Sequence, residues 1–261
     1  MRPVIITANW KMNTTPADAG PLAADIAKAT DVAGITRIIC PPYVSLATVG
    51  ESLAGTDVAV GAQNVHAAPK GAYTGEISAT MLGGLVTWCI VGHSERRRDQ
   101  FESDEVIGHK VVRLVEAGIS PMLCCGEQLE EREAGSAVET VQGQVKAALE
   151  VVMAEGNGLP SDLVIAYEPV WAIGTGKTAS GADAAEMADA IRSTVADIAG
   201  AEFAQNTPVL YGGSVTADSF AEFIGEPAID GALIGGASLK PDQMSAIAAV
   251  AAQAAAARAN A

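Results

Sequence analysis

Basic residues are scarce in this chain. Sixteen lysines and arginines stand against 31 aspartates and glutamates, a formal charge of −15 over 261 residues. That balance argues against nucleic acid or an anionic membrane as partner, since both are held by basic patches. It also sets a condition on any anionic substrate: local donors must attract it against the field of the whole molecule. Histidine is scarcer still, at three residues far apart in sequence, so a dedicated histidine metal site is not expected. Cys40, Cys89, Cys124 and Cys125 show neither zinc-like nor C-x-x-C spacing. They lie mostly within apolar runs and are expected as buried free thiols, which fits a reducing cytoplasm. No apolar run approaches bilayer length. The one at residues 4–8 is too short for a secretory signal core and lacks its cationic lead. No G-x-G-x-x-G follows the first strand-like run, which weakens a dinucleotide-binding reading. No linker composition interrupts the chain, so residues 1–261 are expected to form one domain.

What is present is alternation. Strand-like apolar runs end near Asn9, Cys40, Gln63, His93, Cys125, Glu168, Gly212 and Gly235. Helical patterns follow at residues 16–30, 44–53, 78–85, 103–116, 130–155, 183–198, 216–224 and 241–256. Thr15, Pro16 and Asp18 form a good helix start, with a cap, a preset φ and an acid in the first turn. Alternating units with short connections imply parallel strands and right-handed crossovers. Eight of them in a chain of this length match a single closed (β/α)8 barrel, eight parallel strands inside an outer ring of helices, better than the alternative doubly wound open sheet. Residues 64–75 make the one long connection without a helical pattern, and such a loop usually binds something or packs against a partner. The alanine-rich end, AAQAAAARANA, reads as a fraying extension of the last helix.

The chemistry gathers where strands end. In LVIAYEPVWAIGTGKTA, residues 163–179, an apolar run closes on Glu168, and Pro169 cannot continue a sheet ladder. Trp171 then gives apolar bulk, Gly174 and Gly176 free the backbone, and Ser180 with Asp183 offers caps for the next helix. A carboxylate on a rigid strand beside a glycine-jointed flap reads as a base under a lid; a polar strand end that merely meets water is the plainer alternative. In a barrel the C-terminal strand ends share one rim. That rim would collect Asn9 and Lys11, His93, Glu168, Gly212 to Ser214, and Gly235 with Gly236. Backbone N–H groups near Gly174, Ser214, Gly235 and Gly236 would suit an anion, and the loops after the seventh and eighth strands are the usual phosphate site of this architecture. Ser94 and Glu95 can begin a helical turn whose positive end favours a neutral His93, able to donate to a carbonyl oxygen. Lys11 can attract phosphate, or be a solvated surface charge.

These segments also carry a resemblance. ANWKMN (8–13), GAQN (61–64), GEIS (75–78), VGHSERR (91–97), CGE (125–127), AYEPVWAIGTGKTA (166–179), YGGS (211–214) and IGGASL (234–239) resemble the triosephosphate isomerase family along nearly the whole chain. The resemblance implies interconversion of dihydroxyacetone phosphate and D-glyceraldehyde 3-phosphate through an enediolate, with a role in glycolysis and gluconeogenesis. By position it makes Glu168 the base and His93 the neutral electrophile. Asn9 and Lys11 contact substrate and stabilise developing charge, with Glu95 beside Lys11. Gly174, Ser214, Gly235 and Gly236 hold the phosphate, and Tyr211 latches the closed lid near Ala179. It implies no metal and no organic cofactor. It also implies a homodimer, in which residues 67–75, from Ala67 to Gly75, dock into a neighbouring subunit and Thr74 reaches towards that neighbour's site.

The chain departs from the pattern at Gln100-Phe101-Glu102, where the family often has Phe-Gly-Glu. This bears on the local turn and on the packing around Arg97. The pair Cys124-Cys125 places a second thiol beside the position where the family usually has one. Two other readings of the barrel are a Schiff-base aldolase, which would need a lysine where the sixth strand ends in Glu168, and a silent sugar-phosphate binder, which would be free to lose the base.

Overall fold

Strands that are apolar on both faces persist only where both faces are covered, and a barrel wrapped by helices provides that cover. The computed structural model describes residues 1–155, 158–173 and 179–260. Its strands are β1 (Val4–Asn9), β2 (Ile35–Cys40), β3 (Val58–Ala62), β4 (Trp88–Val91), β5 (Ser120–Cys125), β6 (Val164–Tyr167), β7 (Val209–Tyr211) and β8 (Gly231–Ile234). All pair in parallel with their sequence neighbours, and β8 closes onto β1. The chain is therefore a closed (β/α)8 barrel, not an open sheet.

Period-two alternation sorts the side chains. Ile5, Ile38, Ile90, Met122, Val164, Leu210 and Leu233 form a cluster drawn from strands alone, which fills the barrel interior. Their neighbours Val4, Ile6, Ile39, Val91, Leu123 and Ile165 pack outward with the helices. Each such fully buried side chain contributes on the order of 1.5–3 kcal/mol relative to exposure. The covering helices begin with α1 (Pro16–Ala29), α2 (Leu46–Ser52), α3 (Ala79–Leu82), α4 (Ser94–Asp99), α5 (Asp104–Glu116) and α6 (Leu129–Glu133). They continue with α7 (Ala137–Ala154), α8 (Gly181–Ala199), α9 (Ala201–Asn206), α10 (Phe220–Gly225) and α11 (Pro241–Ala259).

Four local expectations need correction. The helix expected over 130–155 is two, α6 and α7, because Gly135 adopts φ 74° and ends the first. Thr15 occupies the N-cap of α1, but its hydroxyl donates to the Asp18 carboxylate at 2.6 Å instead of accepting from the backbone. The short α9 was not foreseen in the sequence. The alanine-rich end does not fray at once: α11 runs to Ala259, and Arg258 donates to the Ile229 carbonyl at 2.6 Å and to Asp230 at 3.2 Å. The cap of α8 is as expected, since Ser180 Oγ accepts from Asp183 N at 3.1 Å while the Asp183 carboxylate accepts from Ser180 N at 2.9 Å.

Candidate active site

Closing the barrel brings the strand ends together. Asn9 ends β1, Lys11 lies two residues beyond, His93 caps α4 after β4, and Glu168 follows β6 directly. Ser214 follows β7, Gly235 follows β8, and Gly236 opens a 3-10 turn, Gly236–Leu239. Asn9, Lys11, His93, Ser214, Gly235 and Gly236 line one cavity of about 290 Å3, with Ile173, Val215 and Leu233 as apolar walls. A wider groove of about 820 Å3 beside α2 offers only Glu51 and Asp57 as ionisable lining, an unsuitable set for an anion.

Glu168 is 1 % exposed and does not line that cavity. Its carboxylate turns towards the start of α4, where Oε2 accepts from Ser94 N at 2.9 Å and Oε1 from Ser94 Oγ at 3.1 Å. Two missing side chains make room for it. A Cβ on Gly126 would fall 1.7 Å from the Glu168 carbonyl oxygen, and one on Gly212 would fall 2.9 Å from Glu168 Cγ. His93 Nδ1 accepts from Glu95 N at 3.2 Å. That bond assigns the neutral ring's proton to Nε2, which lies 3.1 Å from Glu168 Oε1. The imidazole N–H and the carboxylate thus face each other beside the cavity.

Lys11 is held from several sides. Its backbone has φ 52°, its N–H donates to Asn9 Oδ1 at 3.0 Å, and its carbonyl accepts from Gln63 Nε2 at 2.9 Å. Its ammonium donates to Glu95 Oε1 at 2.7 Å. Burial raises the Glu95 carboxyl, but the Lys11 hydrogen bond and the positive charges nearby outweigh it, and the group sits below its ordinary value.

The root of the flap is anchored at Glu127. Trp171 Nε1 donates to Glu127 Oε1 at 2.7 Å and Tyr167 Oη at 3.0 Å, while the Arg132 guanidinium lies 5.0 Å above the indole ring. Burial drives the Glu127 carboxyl up, and these hydrogen bonds only partly reverse it, so it stays above its usual range. Ser214 Oγ donates to the Ala172 carbonyl at 3.2 Å, linking the seventh loop to the flap. Tyr211 stacks on Phe223 at 3.8 Å. Gly174 and Gly176, named from the sequence, lie outside the described residues.

A family model described as triosephosphate isomerase matches residues 4–251. The chain belongs to the triosephosphate isomerase family. It is 46% identical to the triosephosphate isomerase of Symbiobacterium thermophilum over 256 residues, which covers 97% of this chain and 99% of the relative. That of Dehalococcoides mccartyi strain 195 is 45% identical over 93% of this chain and 94% of its own. That of Thermus thermophilus is 46% identical over 92% of this chain and 95% of its own.

The segment at 100–102, expected to bear on the packing around Arg97, sits beside a well-bonded pair of arginines. Arg97 donates to the Gly92 and Cys124 carbonyls at 2.7 and 2.9 Å, and Glu102 accepts from Arg96 Nε at 2.6 Å. Sequence reasoning missed Ser94 as the partner of Glu168 and gave Glu127 no role. Glu127 could have been found by the rule that found Glu168, since it too is a carboxylate just past a strand. The four cysteines are free and buried. Among the described residues no helix is long and apolar enough to cross a membrane, and no cluster of His, Cys, Asp or Glu is placed to hold a metal.

Proposed function

We propose that this chain interconverts dihydroxyacetone phosphate and D-glyceraldehyde 3-phosphate, a step of glycolysis and gluconeogenesis. The observation that carries the proposal is the 3.1 Å approach of His93 Nε2 to Glu168 Oε1 beside a cavity walled by Asn9 and Lys11 on one side and the Ser214 and Gly235 loops on the other. Glu168, turned from Ser94 into the cavity, removes the proton from the carbon next to the carbonyl. The C–H electron pair becomes the C=C bond of the enediolate, and the carbonyl π pair moves to oxygen. His93 Nε2–H meets that oxygen, with the Lys11 ammonium and the Asn9 amide stabilising the developing charge. Glu168 returns the proton to the adjacent carbon, and a proton passes between the two oxygens through His93. The exchange is redox-neutral within one molecule and needs no metal or organic cofactor.

Backbone N–H groups at Gly174, Ser214, Gly235 and Gly236 take the phosphate, and Glu95 orients Lys11. The flap rooted at Trp171 closes over the enediolate, excluding the water in which it would expel phosphate, and Tyr211 latches it near Ala179. One domain spans residues 1–261. Two copies pair through residues 67–75, with Thr74 of each directed to the other's site, and the four buried thiols support a cytoplasmic location.

The test is turnover of glyceraldehyde 3-phosphate without added metal, coupled to reduction of the dihydroxyacetone phosphate formed. Fast turnover that Glu168→Ala abolishes is expected. Absence of turnover in the unaltered protein, with phosphate-bearing ligands still bound, would replace the enzyme with a silent binder.

A further inference from the structure

Large apolar side chains are unevenly exposed around the rim. The loops after β1 to β4 expose Met12 (97 %), Val44, Tyr73 and Phe101 (87 %), whereas the described residues of the loops after β5 to β8 expose none. Backbone strain follows the same division. Among the described residues, those other than glycine with left-handed φ are Lys11 at 52°, Thr14 at 74° and Phe101 at 55°, all in the loops after β1 and β4. Lys11 is held there for chemistry; Phe101 touches none of it.

The conformation of Phe101 is imposed from both sides. Gln100 N donates to the Arg96 carbonyl at 2.9 Å. The Glu102 carboxylate is pinned beneath, accepting from Arg96 Nε at 2.6 Å and Lys110 Nζ at 2.5 Å. Between these fixed points an aromatic residue sits in backbone space that suits glycine, with its ring in water. In one isolated subunit neither feature is favourable. Strain that persists under such constraint points to a function, and an exposed aromatic among exposed apolar neighbours points to a contact surface.

We propose that Phe101 is the aromatic anchor by which a second copy of this chain is held against the β1 to β4 side of the rim. The proposal rests on the homodimer read above and assigns its energy to the one aromatic residue that is both exposed and in left-handed φ among the described residues. The occupant is a second copy because one face carries both halves of a contact. Residues 64–75 project from it with Tyr73 and Thr74 exposed, jointed at Gly71 (φ 141°) and Gly75 (φ 92°). They contain no acidic residue in a chain of charge −15, so a like-charged copy meets little repulsion there. A two-fold axis then sets each loop on the other rim and covers both sets of apolar side chains. The ring, desolvated at the centre of that contact, offsets the strained backbone beneath it.

The test uses Phe101→Gly, Phe101→Asn and Phe101→Tyr in sedimentation equilibrium, with circular dichroism to verify the fold. Glycine and asparagine both accept left-handed φ, so the subunit fold is retained. Each is expected to raise the dimer dissociation constant at least about tenfold, while tyrosine keeps it within about threefold. Specific activity on dilution should fall at correspondingly higher protein concentration in the glycine variant, because Lys11 and His93 lie on the covered loops. A Phe101→Gly dimer as tight as the unaltered one would overturn the anchor and leave the homodimer standing. Equal weakening by tyrosine and glycine would also overturn it, since the ring would then not be what is buried. An unaltered protein that is monomeric at micromolar concentration would overturn both readings.

Discussion

Two carboxylates are buried at opposite ends of this barrel, and they are held by different kinds of donor. Asp230, just before β8 at the N-terminal end, is fully buried and takes Arg2 Nε at 2.8 Å, Arg192 Nη2 at 2.5 Å, Arg258 Nη1 at 3.2 Å and Val209 N at 3.0 Å. Glu168, at the C-terminal end, is buried almost as completely but among the described residues meets neutral donors: the Ser94 N–H and hydroxyl and the His93 N–H. Three guanidinium groups lock a charge in place and tie the first residues, α8 and α11 to the barrel floor. Neutral hydrogen bonds can be exchanged for others, which suits the role proposed for Glu168, a base that leaves Ser94, accepts a proton and gives it back. The floor is built for persistence and the rim for movement.

That contrast can be broken most forcefully at the floor. Asp230→Ala leaves three guanidinium groups facing one another and an amide without its acceptor. Because the arginines are partly exposed, the cost is expected near the lower end of the buried-pair range, about 3 kcal/mol in urea unfolding, with turnover per folded subunit within about twofold. A fall in turnover as steep as the fall in stability would show that the two ends are not independent. At the rim the signs reverse. Glu168→Asp withdraws the carboxylate by roughly an ångström and should lower turnover at least about a hundredfold. It removes only one methylene, so stability should change by less than about 1 kcal/mol. Near-normal turnover in that variant would remove Glu168 as the base.

The smallest effect concerns acid. Glu95 has a lower carboxyl pKa in the folded protein than in the unfolded chain, because Lys11 and nearby positive charge outweigh its burial. Its contribution to stability is therefore complete above the ordinary carboxylate value of about 4.3 and is lost as pH falls through the lower folded value. Glu95→Gln should make the dependence of the urea midpoint on pH shallower below about pH 5. An unchanged slope would mean that the Glu95 carboxyl is not depressed in the folded protein.

The rim was legible in the sequence because strand ends are local signals. Asn9, His93 and Glu168 each close or follow an apolar run, and parallel topology then gathers them without further information. Neither Ser94 nor the floor could be read that way. Ser94 lies 74 residues from Glu168, and Arg2 lies 228 from Asp230; such pairings exist only after the barrel closes. The break at Gly135 was written in the sequence but hidden by the apolar pattern that continues on both sides of it. The alanine-rich end was misread because composition suggested fraying, while one arginine near its end, Arg258, decides the outcome by a contact 28 residues away.

Gly126 and Gly212 set a boundary for anyone redesigning this protein. At either position even a methyl group would enter space already held by Glu168, so a mutagenesis library that varies them would sample mostly displacements of that residue. Variation aimed at a bulkier ligand has freer ground at Ile173 and Val215, which wall the cavity without bonding to Glu168. The tolerance of the pocket to engineering is thus graded by distance from one carboxylate, with the smallest residues the least replaceable.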